Sequence, residues 1–146
     1  MKQLLFFTDY SWAGLILRLT LGSIMLPHGA QKLLGWFGGY GFKPTMQFFT
    51  ETMRLPIPIA FLIILLEFFC AVGLLTGIGT RLCALIFIVI MTGAIVTTNY
   101  KHGFFMNWFG NQNGEGFEYH LLIIGISLVL LFTGGGKYAM EALIDN

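Results

Sequence analysis

Seven side chains in this sequence could carry chemistry: Arg18, His28, Lys32, Glu67, His102, Glu118 and His120. Together they are one guanidinium, one amine, two carboxylates and three imidazoles, a set suited to ion pairing, proton exchange or hydrogen bonding to a polar ligand. All sit in or beside strongly apolar segments, where an isolated charge costs at least ~2.5 kcal/mol unless it faces protein, water or an opposite charge. The expectation is therefore pairing, first Arg18 with Glu67 and second Lys32 with Glu118. If the pairs only fix helix register, the group is structural. If they line a cavity, it binds a small molecule or passes protons.

The histidines do not follow any metal-ligand spacing, so hydrogen-bonded or proton-exchanging imidazoles are preferred and no metal is expected. The cysteines are Cys70 and Cys83, with no CxxC. Counted from the turn between their segments, their depths differ by about 5 Å at helical rise. They read as packing thiols rather than as a disulfide, which needs Cα atoms within about 7 Å.

Composition determines what must position these groups. Hydrophobic residues make up 56% of the chain and charged residues only 10%, with a mean hydropathy of +0.78. A soluble domain carries about a quarter charged residues, so the chain reads as an integral membrane protein of one domain, residues 1–146, with the lipid bilayer as its surroundings. A net charge of +1 and the lack of a basic run argue against a nucleic-acid partner. The expected fold is all-α: a four-helix bundle with spans at about 11–34, 57–76, 80–98 and 117–132. Each approaches the ~20 residues that cross a bilayer. Residues 1–10 form a short amphipathic lead, with Phe6, Phe7, Tyr10 and Trp12 as aromatic anchors.

The first span holds the most information. At about 100° per residue, Arg18, Gly22, Met25, Gly29 and Lys32 fall within about 60° of one another, with His28 at the edge. That stripe should face inward. Pro27 suggests a kink. Between spans one and two, Pro44 to Arg54 reads as an interfacial helix. Gly77-Ile78-Gly79 makes spans two and three an antiparallel hairpin. Between spans three and four, residues 100–116 form an aromatic loop for the interface or a lid over the bundle mouth. The basic residues Lys2, Arg81 and Lys137 face Lys43, Arg54 and Lys101 across the membrane, which leaves orientation open.

Four stretches together resemble the DoxX family of small four-span bacterial membrane proteins. They are RLTLGSIMLPHGAQKL (Arg18 to Leu33), the Glu67 to Arg81 segment ending GLLTGIGTR, HGFFMNW (His102 to Trp108), and GEGFEYHLL with its glycine-rich exit (Gly114 to Gly136). The chain departs from the family at its end, Tyr138-Ala139-Met140-Glu141, where Glu141 would stand in for the family's acidic position. The resemblance implies a multi-pass protein of the inner (plasma) membrane with cytoplasmic termini. It further implies association with redox or thiol-stress complexes, including a thiosulfate:quinone oxidoreductase subunit, so that quinone is the implied cofactor and a membrane oxidoreductase the implied partner. No flavin, haem or CxxC signature marks an enzyme in its own right. Two other readings stand beside a redox-linked partner subunit: a small-solute or proton permease acting as a homo-oligomer, and a structural scaffold.

Overall fold

A computed structural model describes residues 9–143. The amphipathic lead, including Phe6 and Phe7, falls mostly outside them. Among the described residues there are five α-helices and no strand: α1 (Trp12–Leu33), α2 (Phe42–Gln47), α3 (Ile57–Thr76), α4 (Thr80–Thr97) and α5 (Glu118–Thr133). Two of them, α3 and α4, are long and apolar enough to cross a membrane, with mean hydropathies of 2.6 and 2.1. α1 is 22 residues long, and α5 is a shorter apolar helix of 16.

Local signals set the boundaries. Ser11 caps α1 by accepting the Gly14 N–H at 3.1 Å, and α1 runs through Pro27. Pro58 lies in the first turn of α3. Gly77 ends that helix in the left-handed region (φ 71°), where a side chain would be strained. The interfacial segment is more irregular than its sequence suggests: α2 passes without a break into a π-helical turn, Phe48–Thr52.

α1 packs along α3 and α4 along α5, with α3–α4 and α1–α5 contacts joining the two pairs. The α1–α3 seam depends on small residues. A Cβ on Gly29 would lie 2.6 Å from Phe68 Cα, and one on Gly22 would lie 2.9 Å from Leu75 Cγ, so these glycines permit a helix approach that no larger residue would. Arg18, Gly22, Met25 and Gly29 are all buried, which places the expected stripe inward. The core between the helices is apolar, built on Leu21, Leu74, Phe87 and Leu130.

At one end of the molecule the start of α1, the α3–α4 turn and the exit from α5 meet, through the bonds Asp9 N–H to Thr133 C=O at 2.9 Å, Lys137 N–H to Ser11 C=O at 3.1 Å and Glu141 N–H to Gly77 C=O at 2.9 Å. The other end holds α2, the π turn and the aromatic loop.

Candidate functional site

At the α2 end, Lys32 in the last turn of α1 reaches Glu67 on α3. Its Nζ lies 2.6 Å from each carboxylate oxygen. Glu67 is 2% exposed, while the Lys32 side chain is 33% exposed. The contact follows from the seam: Gly29 rests against the backbone of Glu67 and Phe68, so Lys32, one turn further along the same face, overhangs the carboxylate. The pair is neutral as a unit, which removes most of the cost of burying either charge.

The pair lines a cavity of about 390 Å³ with His120 of α5. Its walls are mostly apolar, among them Ile59, Ile63, Ile90 and Met91, with Thr97, Thr98 and Asn99 as further polar residues. His120 Nδ1 is buried and has no hydrogen-bond partner. Such an atom costs about 1–3 kcal/mol when left unmet. His120 shares this wall with Lys32 and Glu67. The cavity wall thus brings together a carboxylate, an ammonium and an imidazole, with Thr97, Thr98 and Asn99 as the other polar residues.

Two further cavities adjoin it. One of about 620 Å³ lies outward and shares Lys32 and Phe49 with the inner cavity. Another of about 270 Å³ shares Met53, Thr97 and Thr98 and includes Lys101 and His102. Phe48, Phe49 and Met53, from the π turn and the residue after it, line all three between them.

Lys32, Glu67 and His120 are therefore brought together, and the other candidates stand apart. His102 sits in the smallest cavity, and a Cβ on Gly114 would lie 2.6 Å from its Nε2. His28 is exposed, its ring 5.9 Å from that of Tyr119. Tyr119 in turn bonds Met25 Sδ at 3.8 Å. Glu118 is not paired with Lys32, contrary to expectation. It accepts from Trp108 Nε1 at 2.8 Å and from the Met106 N–H at 3.1 Å, fastening the aromatic loop. That loop is internally tied: Asn107 N–H bonds Glu115 at 2.7 Å, and Asn107 exchanges two bonds with Gln112. Of the aromatic loop, Lys101 and His102 line the smallest of the three cavities and residues 103–116 line none, while the π turn and Met53 contribute to all three.

The expected Arg18–Glu67 pair is also replaced. Arg18, 2% exposed, lies at the far end and is held by backbone carbonyls. Its Nε donates to Gly135 at 2.8 Å, Nη1 to Leu74 at 3.0 Å and Leu75 at 2.8 Å, and Nη2 to Lys137 at 3.2 Å. The carboxylate nearby is Glu141, fully buried, which accepts from the Thr80 N–H at 2.8 Å and the Gly135 N–H at 3.0 Å. In antiparallel register, Gly29 opposite Phe68 puts Arg18, about 16 Å earlier along α1, opposite the α3–α4 turn and well beyond Glu67. The glycine spacing Gly22–Gly29 was the signal that would have given this register. Cys70 and Cys83 are buried free thiols, and Cys83 Sγ donates to the Ile78 carbonyl at 3.9 Å.

Comparison with known proteins adds two findings. Residues 13–100 match the family model described as DoxX. The chain is 32% identical over 130 residues, 89% of its length, to the Bacillus subtilis (strain 168) protein named "Putative oxidoreductase CatD", of which the match covers 85%. No solved structure matches the chain.

Proposed function

This chain is a member of the DoxX family, and on that premise we propose that it is a four-span inner-membrane protein whose inner cavity holds a small ring ligand of the quinone type. It acts there as the redox-linked partner subunit of a membrane oxidoreductase. In this reading α1, α3, α4 and α5 all cross the bilayer, with α2 and the aromatic loop at one interface. Exposed Trp36, Tyr40, Trp108 and Phe109 suit an aromatic belt at that end.

The observation that carries the ligand reading is a mostly apolar cavity beside the Lys32–Glu67 pair, lined also by His120, whose buried Nδ1 has no partner. Mostly apolar walls with a few convergent polar groups are what small-molecule sites offer. A ligand oxygen satisfies the imidazole, and the ring fills the space between Ile63 and Met91. The printed name of the Bacillus subtilis relative agrees with a redox setting.

Native mass spectrometry from mild detergent tests this. The unaltered protein should retain a quinone-sized molecule, and His120→Phe should lose it while keeping its melting temperature within a few degrees. Equal retention in both removes the site. A second reading, a proton or small-solute permease acting as an oligomer, is favoured by one observation: Lys32 borders both the inner and the outer cavity. Proteoliposome flux that vanishes in Glu67→Gln would favour that reading instead.

A further inference from the structure

Resting on the ring-ligand reading above, the donors and acceptors around the inner cavity carry a more specific inference. We infer that the cavity selects the hydroxylated, reduced form of its ligand, a hydroquinone or related phenol, over the corresponding quinone. An ionised carboxylate offers acceptor sites only, up to about four lone-pair positions. Lys32 Nζ engages each Glu67 oxygen at 2.6 Å, which leaves further acceptor capacity on a side chain that lines the cavity. A quinone carbonyl has no proton to give it. A phenolic hydroxyl does, and a hydrogen bond to a buried charged acceptor is among the stronger kinds.

His120 points the same way. Its Nδ1 is a donor in one neutral tautomer and an acceptor in the other. A hydroxyl satisfies either, whereas a carbonyl satisfies only the donor form. The other donors on the wall are already committed: Lys32 to two carboxylate oxygens, Asn99 Nδ2 to the carbonyls of Glu115 and Gly116, and Thr97 to the Gly93 carbonyl, with Thr98 Oγ1 beside the Thr97 hydroxyl. The walls, from Ile59 to Met91, supply apolar contact for a ring and no further charge. Leaving a built acceptor unmet is the costly event in recognition, so the ligand lacking the hydroxyl is the one excluded.

The test compares three ligands on one ring under anaerobic conditions: a short-chain benzohydroquinone, its quinone and its dimethyl ether. Equilibrium binding is measured to the intact protein in nanodiscs, with empty nanodiscs correcting for partition. The hydroquinone should bind about tenfold or more tightly than either control. Because the quinone is the smallest of the three, size cannot account for that order. In Glu67→Gln the amide can donate to a carbonyl, so the preference should shrink towards parity. In His120→Phe affinity for the hydroquinone should fall. Should Glu67→Gln not fold, the ligand series on the unaltered protein and His120→Phe decide the matter. A quinone bound as tightly as its hydroquinone overturns the selection while leaving the ring site standing. Failure of all three to bind overturns both.

Discussion

Arg18 and Lys32 lie on one face of one helix, about 21 Å apart along its axis at helical rise, and their charges are met in opposite ways. Arg18 is surrounded by four backbone carbonyls from α3 and from the exit of α5, with Glu141 behind them. Backbone carbonyls do not titrate and cannot turn away, so that end is closed. Lys32 is met by one side chain, beside a cavity and an unmet imidazole. A side-chain partner can be displaced, shared or neutralised, so that end is open to exchange. The two cations separate the part of the molecule that holds it together from the part that can act.

The largest effect should come from the closed end. Arg18→Leu removes donors to four carbonyls and should destabilise by roughly 3–5 kcal/mol, read as unfolding in mixed micelles. A loss under about 1 kcal/mol would break the comparison. Glu141→Gln comes next, at about 2 kcal/mol, because an amide can present an N–H to a backbone N–H where two charge-assisted bonds now form. Its check is the same titration, with Glu141→Ala expected to be worse.

At the open end the expected signature is coupling rather than size. Lys32→Gln and Glu67→Gln should each cost about 1–3 kcal/mol, Glu67→Gln the more. A double-mutant cycle should find the combined loss smaller than the sum by about 1 kcal/mol. Arg18 and Glu67, well separated along α3, should instead add within about 0.5 kcal/mol. Coupling in the second cycle and not the first would reverse the assignment. The smallest effect belongs to His120→Phe, expected within about 1 kcal/mol of the unaltered protein, since it deletes a polar atom that already lacks a partner.

The two ends were not equally legible in the sequence. Helix existence was plain from hydropathy: α3 appears at 57–76 as expected, and α1, α4 and α5 within a residue of expectation. The buried stripe on α1 followed from helical periodicity alone. Partner choice did not follow, because equal depth was judged from position within each span. Depth is set by the seam between helices, and the seam by Gly22 and Gly29. The length of the Lys32 side chain adds to this, since its amine can travel about a turn from its own Cα. The role of residues 42–53 was hidden for another reason. A π turn has no hydrophobic period of its own, so Phe48, Phe49 and Met53 read as interface residues rather than cavity wall. Glu141 was marked only through the family resemblance, and its partners, the Thr80 and Gly135 N–H groups, were not foreseen.

The closed end also ties the first helix to residues far along the chain. Two of the four carbonyls that hold Arg18 belong to Gly135 and Lys137, and the acid that braces them is residue 141. A nascent chain stopped at Thr133 already contains every long helix, yet its first helix still carries a guanidinium half supplied. The stretch after α5 must therefore fold back over the start of α1 before that charge is fully met. A cut anywhere in 134–141 would leave the guanidinium partly bare in the interior, so nicking this short irregular stretch should unsettle a helix more than a hundred residues earlier.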